Sequence, residues 1–460
     1  MVGCKDKVFP LESNPTEIGM TPSNNASSPS PSKPVGLLDA SSIMIGVIIG
    51  VGIFESAPLI ASSVPNGTAL LAIWGIGALL SLVGGMCFAE LATTYPKEGG
   101  PYQYLNRAFG RRAGFLFSWS QLLIVRPGSI VAMAFPFASY FYAVCPIGEG
   151  MFSPHQAKLA MVITAIVGLT IINAIGIKAS IRTQNLLTLV KILGIGSILL
   201  LPLFHTGQSP PPPSELGNAN YGLALILVLF AYGGWSEVTL IAGEVREPNR
   251  NLSRSIFLAV GTVGILYLAL NGVFLTLLGM EGLGASEAAA TDAVRTVAPG
   301  YAGYLVSLLI CISALGAVHG MILTGARVTY IMGEDHKGFK LLSGWSEESG
   351  TPVRALVVQC IICILVTLLA GNFENAVIYT TSITWIFYLL CGVAVMVLRQ
   401  KGKSRDRPYK LPFYPVVPII FCVSCAYLIY SSIDYDPAGS LIAMGLSLLG
   451  LVFYKPQPRQ

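Results

Sequence analysis

The sequence predicts an all-α membrane protein with twelve transmembrane helices. Hydrophobic residues make up 53% of the 460 residues and charged residues only 11%, against about 25% charged residues in a typical soluble domain. The apolar residues are gathered in runs of the length that crosses a bilayer, about 20 residues. Lysine and arginine are concentrated in every second loop. These observations exclude a soluble enzyme, a disordered chain and a coiled coil. We expect a lipid bilayer around the chain and no nucleic-acid partner.

Twelve apolar runs define the predicted spans. They cover residues 37–65, 69–95, 113–144, 157–176, 184–205, 221–245, 256–280, 302–332, 354–371, 374–398, 413–432 and 437–454. Several of these runs approach 30 residues, and spans of that length are expected to tilt or break.

The positive charges predict that both termini are cytoplasmic. Of the 28 lysines and arginines, 24 fall in the two tails and in the loops on the N-terminal side, and two, Lys158 and Arg295, fall in the opposite loops. The remaining two, Arg126 and Lys191, lie deep inside spans, whereas Lys158, Arg327 and Arg354 lie nearer span ends and are counted with the adjacent loops. One missed span would scatter this distribution, so it supports both the number of spans and the orientation.

Residues 1–35 precede the first span and are rich in proline, serine and asparagine. A segment of this composition cannot bury enough apolar surface to fold. We therefore predict a disordered cytoplasmic tail, to which we assign no function.

The sequence gives no reason to expect a metal or a cofactor. The C-x-x-C pairs Cys360/Cys363 and Cys422/Cys425 lie in apolar runs, where small buried thiols are common and thiolates are costly. The phosphate-binding, zinc-protease and serine-hydrolase motifs are absent from the sequence, which argues against an ATP-driven pump and a hydrolase.

Span 1 carries a glycine-rich interruption formed by Gly50, Val51, Gly52 and Ile53, followed by Pro58. Glycine is unfavourable inside a helix and proline removes a hydrogen bond, so we predict a break near mid-membrane. Broken helices persist in lipid only where the freed backbone lines a cavity or finds partners. The N–H groups that start a half-helix suit a carboxylate. For span 1 alone, close helix packing at the glycines is an equally good explanation.

Span 6 carries a second interruption, with aromatic residues beside it. Its residues are Phe230, Ala231, Tyr232, Gly233, Gly234, Trp235 and Ser236. Spans 1 and 6 are equivalent if spans 1–5 and 6–10 are two repeats, and two interrupted spans at equivalent positions indicate the binding site of a transporter. These seven residues and the four at 50–53 are therefore the predicted substrate-binding residues.

Six segments occur in a specific order along the chain. They are G-V-G-I-F at 50–54, E-L-A-T-T-Y-P-K-E-G-G at 90–100, R-P-G-S at 126–129, I-K-A-S-I-R-T-Q-N at 177–185, F-A-Y-G-G-W at 230–235 and R-P-Y-K at 407–410. Together they resemble the motifs of the amino acid–polyamine–organocation (APC) superfamily of transporters, and most closely its L-type amino acid transporter branch. The resemblance covers about residues 36–455.

The resemblance implies a permease domain over 36–455 with the LeuT-type fold. That fold has two inverted repeats of five helices, here at about 37–205 and 221–398, and two further helices at about 413–454. It also implies a secondary-active permease of the plasma membrane, not an enzyme, that moves amino acids by alternating access. A non-transporting amino acid sensor on the same fold is the alternative, and we expect the tails to be too short for signalling.

The breaks and the resemblance together imply a pose for the substrate. Its carboxylate would meet N–H groups at 50–52, and its amine would meet carbonyls freed around Ile53 and from Phe230 to Gly233. Phe230 would close over it from the outer side, as the equivalent aromatic residue is thought to do in the family. Trp235 and Ser236 would shape the side-chain pocket.

Lys191 is the first candidate for coupling, because a charge inside the bilayer is costly and usually faces a cavity or a partner. In the resembling family, a lysine at this position packs against spans 1 and 8, where related transporters hold sodium. That position implies sodium-independent transport, with the ammonium bracing the broken helix. Lys191 could instead carry a proton, or extend its ammonium to the inner surface.

Glu55, Glu237 and His319 are further coupling candidates that depart from the L-type pattern, as does Ser236. Each carboxylate has three open roles: binding the substrate amine, carrying a proton, or capping the half-helix that follows. His319 is either a proton-coupling residue or a hydrogen-bonded polar residue between helices. These groups favour proton-coupled symport over obligatory exchange, and exchange stays open.

Four other residues receive structural interpretations. We expect Arg126 to pair with a carboxylate or with helix carbonyls rather than with substrate. Glu90 and Glu244, at the inner ends of spans 2 and 6, are interpreted as gate or surface residues. Cys145 stands where animal heteromeric members of the L-type branch bond an accessory glycoprotein, and we expect a free or buried thiol here instead.

Overall fold

The chain folds almost entirely into helices. The computed structural model describes residues 33–146, 152–205, 219–286, 288–370, 373–402 and 406–455. Within these ranges there are sixteen α-helices, one π-helical turn and three 3-10 helices, and β structure is limited to isolated bridges. The prediction of an all-α protein is confirmed.

The first half of the chain contains α1 (Leu37–Ile48), α2 (Gly52–Ser62), α3 (Gly67–Thr94), α4 (Pro101–Phe109), α5 (Arg111–Ser120), the π-helical turn (Gln121–Val125), α6 (Arg126–Val144), α7 (Pro154–Ile175), α8 (Ile177–Leu199) and a 3-10 helix (Leu201–Phe204). The second half contains α9 (Tyr221–Ala231), a 3-10 helix (Glu237–Glu244), α10 (Pro248–Gly284), α11 (Ala289–Arg295), α12 (Ala302–Asp335), a 3-10 helix (Lys337–Leu342), α13 (Val353–Ala370), α14 (Phe373–Lys401), α15 (Val416–Tyr435) and α16 (Pro437–Phe453).

The helices confirm a multi-pass membrane protein. In the part of the chain that the structure describes, eight continuous helical segments are long and apolar enough to cross a bilayer, and the bent pair of α1 and α2 forms a ninth. Three shorter apolar helices, Tyr221–Ala231, Val353–Leu369 and Pro437–Phe453, coincide with predicted spans 6, 9 and 12. The number twelve, the inverted repeats and the cytoplasmic termini remain predictions.

Span 1 is interrupted between Ile48 and Gly52, and α1 and α2 are bent by 46° at this point. We call residues 49–51 the first break. The N–H of Gly50 turns back to the carbonyl oxygen of Ile48 at 2.8 Å. The new helix starts at Gly52, inside the glycine-rich segment.

Span 6 is interrupted between Ala231, the last residue of α9, and Glu237, the first residue of the following 3-10 helix. We call residues 232–236 the second break. Gly234 has φ +107°, a conformation that side chains other than glycine adopt at a cost. A Cβ built on Gly234 would also lie 2.8 Å from Cγ1 of Val47 and 3.2 Å from N of Ile48. The two breaks therefore lie against each other.

Span 3 contains a π-helical turn that the sequence analysis did not predict. The N–H of Arg126 donates to the carbonyl oxygen of Gln121, five residues earlier. The next residue, Pro127, has no N–H to continue the regular ladder. Such turns widen a helix by one residue and often occur at functional sites.

The N-terminal end of the described chain is tied to span 6. The N–H of Val35 donates to the carbonyl oxygen of Glu244 at 3.2 Å, and the N–H of Arg246 donates to that of Val35 at 2.9 Å. Residues 33–35 therefore belong to the folded domain rather than to a disordered tail. The remainder of the predicted tail, 1–32, lies outside the described residues.

Candidate functional site

A cavity of about 140 Å³ lies between the two breaks. From the breaks it extends toward Pro101 and Leu240, and spans 3 and 10 form its other walls. Eight of the eleven predicted substrate-binding residues line it: Gly50, Gly52, Phe230, Ala231, Gly233, Gly234, Trp235 and Ser236. The structure thus brings most of the two interrupted segments together around one space.

Three predicted residues do not line this cavity. Val51 lies just before α2, and its carbonyl oxygen accepts the N–H groups of Phe54 and Glu55. Ile53 is the second residue of α2, so its carbonyl belongs to the helix. We had predicted that this carbonyl would be free to bind a substrate amine, and it is not. Tyr232 packs behind the second break, its ring centroid 5.1 Å from that of Tyr267.

The carbonyls at the first break are bound by side chains from three other spans. Nζ of Lys191 donates to the carbonyl oxygens of Gly46 and Ile49 at 2.6 and 2.7 Å. The hydroxyl of Ser313 donates to those of residues 49 and 50, and the hydroxyl of Tyr267 donates to that of residue 48. In lipid, freed backbone groups need such partners.

Lys191 is fully buried, so the alternative in which its ammonium reaches the inner surface is wrong. Space for it comes from Gly316 of α12, because a Cβ built there would lie 2.8 Å from Nζ. The ammonium therefore stands among carbonyls, a position that a bound cation would also favour. Its role as a proton carrier stays a prediction.

Arg126 and Glu237 form an ion pair across the cavity wall. Nη1 of Arg126 donates to both carboxylate oxygens of Glu237, at 3.1 and 3.0 Å. Both side chains are more than nine-tenths buried, and both residues line the cavity. We had expected Arg126 to pair with a carboxylate or with helix carbonyls, and in the structure it pairs with a carboxylate. The identity of the partner was missed, because the two residues are 111 positions apart and no local pattern connects them.

The pair is held on both sides. The hydroxyl of Thr324, on α12, also donates to the Glu237 carboxylate. A Cβ built on the next residue, Gly325, would lie 2.6 Å from Cγ and Cδ of Arg126. Because Gly325 has no side chain, the aliphatic part of the Arg126 side chain can pack against it.

Trp235 and Ser236 face an aromatic cluster. The Trp235 ring lies 5.0 Å from the rings of Phe88 and Tyr388, and the hydroxyls of Ser236 and Tyr388 are hydrogen-bonded at 2.8 Å. Edge-to-face and tilted aromatic pairs of this kind hold side chains in fixed positions. Phe230 is half-buried at the end of α9 and lines the cavity.

Glu55 and His319 lie away from the residues that line the cavity. The carboxylate of Glu55 accepts a hydrogen bond from Tyr140. Nδ1 of His319 is 2.8 Å from Oε1 of Gln184, and Nε2 is 3.4 Å from the hydroxyl of Ser180. His319 is thus a hydrogen-bonded residue between helices in this structure, and its part in proton coupling stays a prediction.

Glu244 is buried and is not a surface residue. It binds Arg327, with Nε to Oε1 at 2.7 Å and Nη2 to Oε2 at 3.3 Å. Arg327 was assigned to a cytoplasmic loop, yet it is fully buried inside α12. The pair therefore joins the inner parts of spans 6 and 8.

Glu90 is likewise fully buried, which excludes the surface alternative for it. Its carboxylate accepts from Nε of Arg399 at 2.8 Å, from Nη1 of Arg407 at 3.1 Å and from the N–H of Leu411 at 2.8 Å. The carboxylate thereby ties α3 to α14 and to the segment that follows it.

Glu98, in the loop after α3, is a titratable group outside the spans whose pKa is shifted. Burial, and the nearby charge of Glu244, raise its pKa to about 7, against a smaller opposing effect of Arg327. The next residue, Gly99, donates its N–H to the carbonyl oxygen of Leu240 at 2.9 Å. The loop thus rests directly on the inner part of span 6.

Cys145 directly follows α6 and is exposed, with its thiol free in the described part of the chain. Its expected lack of a disulfide-linked partner stays a prediction.

The comparisons with known proteins agree on one family. The family model described as amino acid permease matches residues 35–447. The chain is 31% identical to the b(0,+)-type amino acid transporter 1 of Mus musculus, over 92% of this chain and 87% of that protein. It is 30% identical to the serine/threonine exchanger SteT of Bacillus subtilis, over 92% and 96%. It is 27% identical to the human large neutral amino acids transporter small subunit 2, over 92% and 80%.

Proposed function

The chain belongs to the amino acid permease family, and on that premise we propose that it is a secondary-active amino acid transporter of the plasma membrane, not an enzyme. It works by alternating access and independently of sodium. The cavity that joins the two broken spans is the observation that carries this proposal, because broken half-helices facing one space are how such transporters bind substrate. The three shorter apolar helices complete the proposed twelve spans.

The substrate carboxylate binds at the start of α2. The first N–H groups of a helix have no partner within it, and they attract a carboxylate. Gly50 already donates its N–H to Ile48, and Val51 and Ile53 do not line the cavity, so the donor that faces the substrate is the N–H of Gly52. The amine binds carbonyls at the end of α9, where the last turn leaves acceptors unpaired.

Sodium independence rests on Lys191. Its ammonium binds the carbonyls of Gly46 and Ile49, and a second cation beside it would be repelled at short range. The fixed charge of Lys191 thus holds the first break in place, as a bound sodium ion could do.

We propose exchange as the transport mode. Among the three residues that favoured proton coupling, only Glu237 lines the cavity, and its carboxylate is bound by Arg126 and Thr324. The Bacillus subtilis relative is an exchanger, which supports the same mode. Proton coupling through Glu237 is the second candidate, because its carboxylate faces the substrate space.

Uptake of a panel of labelled amino acids into proteoliposomes tests the function. We expect uptake into vesicles preloaded with amino acid, equal in sodium and in choline buffers. Concentrative uptake into empty vesicles that collapses with an imposed pH gradient would replace exchange by proton symport. A protein that binds amino acids and moves none would instead be a sensor.

A further inference from the structure

Among the described residues that line the cavity, only two carry a charge: Arg126 and Glu237. The other polar groups in the wall are uncharged, the hydroxyls of serine, threonine and tyrosine residues and the amide of Gln121. The two charges bind each other, so the charge of the wall sums to zero.

The pair is an integral part of the site. Its side chains are 7% and 9% exposed, Thr324 holds the carboxylate, and Gly325 leaves room for the arginine. Nε of Arg126 has no hydrogen-bond partner within the described residues. The guanidinium therefore keeps a donor that the carboxylate does not use.

We propose that this ion pair sets the side-chain charge of the carried amino acid, an inference that rests on the proposed transport function. With the pair intact, the cavity takes amino acids whose side chains are uncharged. When either partner loses its charge, the other becomes the counter-ion for a charged substrate side chain.

The physical reason is the cost of an unpaired charge in a buried site. A charged substrate side chain would enter a space whose two charges already satisfy each other, and it would lose its water without gaining a partner. Without the carboxylate of Glu237, Arg126 is itself the unpaired charge, and an acidic side chain neutralises it. Without the guanidinium, Glu237 is unpaired, and a cationic side chain neutralises it.

Two single variants test the proposal in proteoliposomes, with labelled serine, glutamate and lysine. Glu237→Gln keeps the shape of the residue and an acceptor for Thr324, and we expect its glutamate-to-serine uptake ratio to rise at least about tenfold over wild type. Arg126→Met should raise the lysine-to-serine ratio by a similar factor. The double variant has neither charge, so its glutamate-to-serine and lysine-to-serine uptake ratios should return to about those of wild type.

Glu244→Gln is the matched control. It breaks a different buried ion pair, that of Glu244 on span 6 and Arg327 on span 8, and neither residue lines the cavity. Even if this variant transports more slowly, its glutamate-to-serine and lysine-to-serine uptake ratios should stay within about twofold of wild type, because the charge of the substrate cavity is unchanged.

A second readout covers variants that fold poorly. Because an unpaired buried charge destabilises the fold, glutamate, but not lysine, should raise the thermal midpoint of purified Glu237→Gln, and lysine should do so for Arg126→Met. Unchanged uptake ratios, or an equal response to both amino acids, would overturn the inference. Wild type that moves none of the amino acids would overturn the transport function itself, a distinct result.

Discussion

The two breaks differ in how their freed backbone is satisfied. At the first break, Lys191, Ser313 and Tyr267 bind the carbonyls of residues 46 to 50 from three other spans. At the second break, in the described part of the chain, the side-chain donors are fewer and uncharged: Thr239 donates to the carbonyl of Ser236 at 2.7 Å, and Tyr267 lies 3.4 Å from that of Ala231. Gly234, with φ +107°, turns the chain toward the cavity, and Glu237 follows with its own partner from span 3.

This difference suggests that the two breaks have different roles in transport. Side chains from three other spans hold the first break in place, so we expect its geometry to be fixed. Its open N–H at Gly52 would then bind the carboxylate that all amino acids share. The second break carries the aromatic and charged side chains that face the cavity. We therefore propose that substrate choice and gating belong to span 6, and that the fixed backbone site belongs to span 1.

The largest expected effect is at the contact between the breaks. A Cβ at Gly52 would lie 3.1 Å from Cα of Ala231, so Gly52→Leu should abolish substrate binding while expression stays near normal. Gly234→Leu should do the same and also lower the thermal midpoint, because a left-handed non-glycine residue costs about 1–3 kcal/mol. Binding is measured on purified protein by isothermal titration.

Gly272→Leu serves as the control for these variants, since a Cβ there would meet nothing within 4 Å. Wild-type-like uptake by Gly52→Leu would place the substrate elsewhere.

The second largest expected effect tests whether the Lys191 ammonium stabilises the first break. Lys191→Met removes the buried ammonium, which leaves the carbonyl of Gly46 without its side-chain donor and that of Ile49 with the Ser313 hydroxyl alone. An orphaned buried group costs about 1–3 kcal/mol, and bonds from a charged donor are the stronger ones. Transport should fall at least about tenfold. Ser313→Ala should lose less, because Ile49 keeps its bond from Lys191. If Ser313→Ala were the more damaging variant in initial uptake rates, the first break would not depend on the lysine.

A third prediction separates gating from binding at the second break. Phe230 is half-buried at the end of α9 and lines the cavity, so Phe230→Ala should leave the outer gate leaky. We expect flux to fall several-fold while binding is retained. Equal flux in the variant and wild type would show that the ring only packs.

The smallest effect is a dependence of stability on pH. The pKa of Glu98 is raised to about 7, so the folded state binds this proton more tightly than the unfolded chain does. Stability therefore falls as pH rises from about 4.5 to about 7, and the cost is fully present above that range. Glu98→Gln removes the cost of the ionised form.

The thermal midpoint of Glu98→Gln should exceed that of wild type at about pH 8, and the gap should close toward about pH 5. A gap that widens on acidification would mean that the ionised carboxylate is the stabilising form.

The sequence predicted what depends on local backbone chemistry. The breaks follow from glycines that are unfavourable inside helices, and at 49–51 and 232–236 they overlap the predicted segments at 50–53 and 230–236. The π-helical turn was missed, although Pro127, with no N–H to donate, was a local signal for it.

Long-range pairs could not be predicted in the same way. Arg126 and Glu237 are brought together only by the packing of α6 against α12 and the inner part of span 6. Glu90 likewise is buried because Arg407 and Leu411, beyond the end of α14, fold back onto α3. A residue's burial in such cases depends on partners that sequence neighbours do not reveal.

The most direct measurement of the central claim is substrate protection inside the cavity. Ser129 lines it from span 3, and Cys145 is exposed outside it. With Ser129→Cys, a saturating transported amino acid should slow maleimide labelling of the new thiol by at least about tenfold, since a bound ligand excludes reagent in proportion to its occupancy. Labelling of Cys145 should not change. Equal labelling of the Ser129→Cys thiol with and without that amino acid would contradict a binding site between the two breaks.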